Sequence, residues 1–106
     1  ATETVNWSYF ETTLEAVAEL KKRNATIFAV EQTEQAAFLH HVNPNPKELT
    51  ALIFGNEGFG VEQEVIDSCD GVIEIPQLGS KHSLNISVSA GIVLWELARK
   101  LNAFSN

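Results

Sequence analysis

The sequence lacks what several protein classes require. A single cysteine, Cys69, excludes an internal disulfide and a multi-cysteine zinc site. No apolar run approaches the ~18 residues that span a bilayer, and the first residues have neither the basic nor the apolar part of a signal peptide. These features favour a reducing, cytoplasmic setting. Methionine is absent, so we expect the chain to begin at an internal point of a longer protein.

Basic residues are also scarce. Seven bases against fourteen acids leave a net charge of -7, which disfavours holding a phosphate backbone by the bulk charge of the chain. The composition is typical of a globular protein, since 44% of the 106 residues are apolar and 20% are charged. We therefore predict one domain over residues 1–106. His40 and His41 are adjacent, so we expect surface histidines there rather than metal ligands.

Apolar periodicity predicts an α/β fold. Helices are expected from Thr12 to Asn24, over 61–68 and over 84–103, and apolar strands over 25–31, 49–54 and 71–76. The segment from Gln35 to His40 reads as one or two helical turns. Strands separated by crossovers imply a parallel sheet with helices on its faces.

The last predicted helix is apolar on every side between Leu84 and Trp95. A helix of this kind is buried on more than one face. One sheet covers only one side of it, so the other side is expected to meet further chain segments or a partner subunit. Small residues such as Gly91 would permit close approach.

A glycine-rich loop follows the second predicted strand and reads Gly55-Asn-Glu-Gly-Phe-Gly60. Ligands of parallel α/β sheets bind beyond this end of a strand, and glycine leaves room for them. The glycine spacing matches neither a dinucleotide fingerprint nor a P-loop. Because Glu57 disfavours a phosphate, a neutral or cationic ligand fits better.

A second polar segment follows the third predicted strand. Here Ser83 and Asn85 open the apolar helix, whose first backbone amides are free to bind an acceptor. Ser83 is also suited to a plain N-cap role, whereas a buried Asn85 amide needs hydrogen-bond partners. His82 is suited to acid–base work near neutral pH, or to a surface position.

Taken together, these segments resemble a known family. The stretch 52–61, Leu-Ile-Phe-Gly-Asn-Glu-Gly-Phe-Gly-Val, resembles the second motif of the SpoU (TrmH-type) RNA ribose methyltransferases of the SPOUT superfamily, and the stretch 73–96 resembles the third. The resemblance implies a C-terminal trefoil knot, S-adenosylmethionine held in it, and a homodimer through the C-terminal helix. It also implies methyl transfer to a ribose 2′-hydroxyl of tRNA or rRNA. The wording of the third motif is similar to that of members that methylate tRNA guanosine.

The resemblance also assigns site residues. Those implied to bind the cofactor are Gly55, Asn56, Glu57, Gly58, Ile75, Gln77, Ser83, Leu84 and Asn85. Those implied to belong to the catalytic site are Glu57, Ser83 and Asn85. The family's first motif, with its catalytic arginine, has no match in this sequence, so we expect a C-terminal part of the domain that lacks the first β-α units.

Two alternatives remain. The first is that the chain is a catalytically incomplete, cofactor-binding or dimerising module of the same fold, which the missing first motif and the acidic charge would favour. The second is that it is an unrelated α/β nucleotide-binding or phosphoacceptor domain, which predicts clustered carboxylates at strand ends. The sequence instead places Asp67 and Asp70 on and after a short helix.

Overall fold

The computed structural model describes residues 13–55, 60–76 and 86–101. Its helices are Thr13–Lys22 (α1), Gln63–Ser68 (α2) and Ile86–Lys100 (α3), and its strands are Thr26–Val30 (β1), Ala37–Phe38 (β2), Thr50–Phe54 (β3) and Gly71–Glu74 (β4). A short 3₁₀ helix, Leu39–His41, follows β2. Within the described residues, every predicted element except the helical turns over 35–40 is present, with ends shifted by one or two residues.

The strands form one sheet in the order β2-β4-β1-β3, and every neighbouring pair is parallel. The predicted parallel α/β fold with flanking helices is thereby confirmed. No helix in the described part of the chain is long and apolar enough to cross a membrane.

The prediction of helical turns from Gln35 to His40 is wrong in part. Ala37 and Phe38 form the edge strand β2, opposite Ile73 and Glu74 of β4, and only the 3₁₀ helix is helical. A two-residue strand has no periodicity of its own. Its backbone is extended because a neighbouring strand, distant in sequence, supplies its hydrogen-bond partners.

Two apolar cores lie on opposite faces of the sheet. One joins α1 and α2 to the sheet through Val17, Ile27, Ile53 and Val65. The other joins α3 and the 3₁₀ helix to it through Leu39, Val42, Ile73, Val93 and Leu97. Residues of β1 and β3 enter both cores, so these strands are apolar on both sides.

Helix α1 begins and ends as its sequence predicts. Glu15 lies in its first turn, and Lys21 and Lys22 in its last, which complements the helix dipole. Asn24 adopts a φ of 58°, and the Ala25 amide donates to the Leu20 carbonyl oxygen at 3.1 Å. This left-handed residue ends the helix and turns the chain into β1.

Among the described residues, helix α3 buries only one of its sides. Val93 is fully buried and Leu97 nearly so, whereas Val88, Ile92 and Trp95 expose 50%, 39% and 57% of their surface. The predicted second covered side is therefore open to solvent here. The Lys100 ammonium anchors the end of the helix by donating to the carbonyl oxygens of Leu39, His40 and Val42 at 3.4, 2.8 and 2.6 Å.

Candidate functional site

The parallel registers bring three strand ends to one edge of the sheet. Val30, the last residue of β1, lies opposite Phe54 of β3 and Ile73 of β4. The residues that leave these strands therefore lie side by side, with β1 in the middle. This is the edge at which α/β sheets bind ligands, and we call it the carboxyl edge.

The described residues contain two of the predicted site residues, Gly55 and Ile75, and both lie at the carboxyl edge. Seven others remain predictions because they fall outside the described residues: Asn56, Glu57, Gly58, Gln77, Ser83, Leu84 and Asn85. The three predicted catalytic residues are among these seven.

The ends of the glycine loop approach each other closely. A Cβ on Gly55 would lie 2.2 Å from the Gly60 carbonyl carbon and 2.5 Å from the Val61 nitrogen. Gly60 itself has a φ of 70°, which side-chain-bearing residues rarely adopt. Glycine is thus required at both ends, at Gly55 for space and at Gly60 for conformation.

Sequence reasoning missed two acidic residues at the carboxyl edge. Glu31 directly follows β1, and its carboxylate accepts a hydrogen bond from the Val61 amide at 2.7 Å. Glu74 ends β4 and is buried, with 7% of its surface exposed. The signal that would have found both is an acidic residue at the carboxyl end of an apolar strand, because that position faces the ligand edge.

Beside Ile75, an open groove of about 720 Å³ runs between the end of β4 and α3. Its lining is mainly apolar and consists of Leu39, His40, Ile75, Pro76, Gly91, Ile92, Trp95 and Glu96. The groove joins one predicted cofactor residue to the exposed side of α3.

Asp67 and Asp70 do not lie at the carboxyl edge. The Asp70 carboxylate lies just before β4, at the opposite edge of the sheet, where it accepts the Ile27 amide at 2.7 Å. Asp67 pairs with Gln63 on the exposed side of α2. Both acids therefore have structural roles, and they lie on and after the short helix, as the sequence predicted.

Cys69 follows the last residue of α2 and is half-buried. Its thiol donates to the Val65 carbonyl oxygen at 3.1 Å. Burial, together with nearby Asp70, raises the pKa of the thiol and so favours its unreactive protonated form. Cys69 is therefore a packing residue, not a nucleophile.

His40 and His41 are exposed, as predicted, and their rings lie 4.1 Å apart. Residues 13–55, 60–76 and 86–101 contain no group of three His, Cys, Asp or Glu side chains placed to hold a metal ion.

Comparison with known proteins places this geometry in a family. The SpoU rRNA Methylase family matches residues 1–95. The tRNA (guanosine(18)-2′-O)-methyltransferase of Thermus thermophilus is 40% identical over 86 residues, which cover 81% of this chain and 43% of that protein.

Solved structures agree. The TrmH/SpoU tRNA modifying enzyme of A. aeolicus has a TM-score of 0.75 and 31% identity over 89% of this chain and 47% of its own. The SpoU methyltransferase AviRb of Streptomyces viridochromogenes, solved with the cofactor AdoMet, shares the fold with a TM-score of 0.73 at 22% identity, over 87% of this chain and 37% of its own. The chain thus spans less than half the length of each of these proteins. With a family match over residues 1–95 and the parallel sheet in place, the chain belongs to the SpoU family of RNA methylases.

Proposed function

We propose that this chain is the cofactor-binding, C-terminal part of an S-adenosylmethionine-dependent RNA 2′-O-ribose methyltransferase. The observation that carries the proposal is that the two strands leading into the motif-bearing segments, β3 and β4, end at one edge of a parallel sheet, on either side of the end of β1. Family membership and the activity named for the T. thermophilus relative support it.

The described residues fit such a cofactor. At Gly55 the backbone of Gly60 and Val61 fills the space that a side chain would need, so the two ends of the first loop pack directly on each other. Ile75 and Pro76 offer an apolar wall that suits a neutral adenosine. Glu31 and Glu74 make the edge acidic, which favours a sulfonium cation over a phosphate.

S-adenosylmethionine would supply an electrophilic methyl group. Its carbon–sulfur bond would break and leave S-adenosylhomocysteine as the bond to the ribose oxygen forms, and the hydroxyl proton would pass to solvent. In this proposal backbone groups of the two motif loops hold the cofactor, at residues 55–58 and at Gln77, Ser83 and Asn85. The adenine forms backbone hydrogen bonds near Ile75 and Leu84. Ser83 and Asn85 are proposed to lie near the reacting hydroxyl and to orient it for in-line attack, with Glu57 as a further member of the catalytic site. We further propose that the C-terminal segment is threaded into the family's trefoil knot.

Isothermal titration calorimetry tests the cofactor claim. We expect the chain to bind S-adenosylmethionine and S-adenosylhomocysteine, and to bind ATP far more weakly because the carboxyl edge is acidic. Tighter binding of ATP would contradict the proposal and favour a nucleotide-binding domain. Transfer of a tritiated methyl group to tRNA or rRNA tests activity; binding without transfer would support the alternative of a non-catalytic module.

The exposed stripe of α3 supports a homodimer. Val88, Ile92 and Trp95 recur at helical spacing on the side away from the sheet. A Cβ added at Gly91 would meet no atom of another described segment within 4 Å, so the surface beside this stripe is open. A second copy of the chain would cover this apolar surface.

RNA is the proposed substrate, and the single cysteine suits the cytoplasm.

Sedimentation velocity tests the dimer. We expect a dimer for the wild type and a monomer for Trp95→Glu. Leu49→Glu is the matched control because Leu49 is similarly exposed, at 51%, but lies outside α3. A monomeric wild type, or a dimer that Trp95→Glu leaves intact, would contradict this interface.

A further inference from the structure

We propose that Glu31 is a positioning residue that holds the far end of the glycine loop, at Gly60 and Val61, in place for cofactor binding. The inference deepens the proposed function and rests on it. Glu31 lies outside both motif-bearing segments, and its role comes from the fold rather than from any motif.

The backbone and the side chain of Glu31 connect β1 to β4 and to the end of the loop that follows β3. Its amide donates to the Ile73 carbonyl oxygen of β4 at 3.0 Å, which continues the ladder between β1 and β4. Its carboxylate accepts the Val61 amide at 2.7 Å, at the far end of the loop that leaves β3. Glu31 therefore fixes the end of this loop relative to both β1 and β4.

The carboxylate lies directly against Gly60. A Cβ added there would lie 2.6 Å from one carboxylate oxygen and 3.1 Å from the other. The absence of a side chain at Gly60 is what allows the carboxylate to reach the Val61 amide. Gly60 is thus matched to Glu31 as well as to its own positive φ.

The two ends of the loop meet at this same point, since Gly55 packs on the backbone of Gly60 and Val61. A short loop whose ends are fixed loses less conformational freedom when a ligand binds it. A hydrogen bond to an ionised carboxylate is among the stronger ways to fix an amide. Glu31 thereby acts on affinity without touching the cofactor.

The test compares Glu31→Ala and Glu31→Gln with the wild type by calorimetric titration of S-adenosylmethionine. We expect Glu31→Ala to raise the Kd about tenfold, equivalent to about 1.4 kcal/mol. Glu31→Gln should restore binding to within about threefold of wild type, because its amide oxygen still accepts from Val61. Should Glu31→Ala fail to fold, Glu31→Asp retracts the carboxylate by one methylene and is expected to weaken binding likewise.

Asp70→Ala is the matched control. Asp70 accepts the Ile27 amide at the same 2.7 Å, but at the opposite edge of the sheet. We expect it to lower the thermal midpoint while leaving the Kd unchanged at a temperature where all variants are folded by circular dichroism. An equal rise in Kd for Asp70→Ala and Glu31→Ala would show a general loss of stability and overturn the positioning role.

The outcomes separate this inference from the proposed function. Binding by the wild type with an unchanged Kd for Glu31→Ala overturns the role of Glu31 alone. No binding by the wild type overturns the proposed function and the role of Glu31 with it. A raised Kd for Glu31→Ala, restored by Glu31→Gln and absent for Asp70→Ala, supports both.

Discussion

Substituting Gly60 by alanine should destabilise the chain through two separate effects. The first is conformational, because alanine at a φ of 70° costs about 1–2 kcal/mol. The second is steric: the new methyl group would lie 2.6 Å from the Glu31 carboxylate, which must then move away from the Val61 amide. Weakening this charge-assisted hydrogen bond adds about 1.5 kcal/mol. We therefore expect Gly60→Ala to lower the free energy of unfolding by about 3 kcal/mol.

A double-mutant cycle with Glu31→Ala separates the two effects. Without the carboxylate, the methyl group at position 60 has nothing to displace, so Gly60→Ala should then cost only the conformational part of about 1–2 kcal/mol, or about 1.5 kcal/mol less than in the wild type. Urea unfolding of the wild type, both single variants and the double variant measures this coupling. Costs that add to within about 0.5 kcal/mol would refute the contact between Glu31 and the loop end.

Three further outcomes are expected. Val93→Ala removes two buried methyl groups from the core beneath α3 and should cost about 2–3 kcal/mol in urea unfolding, whereas Val88→Ala on the exposed side should change stability by less than about 0.5 kcal/mol. Lys100→Met keeps the apolar stem but removes the donor to three carbonyl oxygens, and should cost about 1–3 kcal/mol; an unchanged unfolding midpoint would contradict this anchor. The folded-state pKa of Cys69 is raised above the unfolded value, so the stability that the thiol contributes is present below the unfolded pKa and is lost as the pH rises through the folded pKa. Iodoacetamide at about pH 8 should therefore modify Cys69 more slowly in the folded chain than in urea. Equal rates of modification would contradict the raised pKa.

Much of the fold was predictable because its signals are local. The apolar stretches over 25–31 and 49–54 indicated strands, and residues of the strands found there, β1 and β3, enter both cores. Asn24 marked the end of α1, and it adopts the left-handed conformation that ends helices. Gly55 and Gly60 marked a loop at a strand end, and both are required by geometry there.

The features that the sequence did not predict, the edge strand β2 and the role of Glu31, depend on contacts between residues far apart in the chain. The edge strand β2 exists because β4, more than thirty residues later, offers it a ladder. Glu31 and Val61 are 30 residues apart, and no spacing rule connects an acid after one strand to an amide after another. The seven predicted site residues outside the described residues remain predictions on the strength of their motifs.

Residue order alone was enough to show which segments are helices and strands, where the motif-bearing loops begin, and to which family the chain is similar. These depend on residue type and on neighbours a few positions away. The folded chain was needed to show that three strand ends share one edge, that Glu31 holds the loop between them, and that α3 buries one side and exposes the other. Such facts depend on strand order and register, which arise from contacts between residues far apart in the chain.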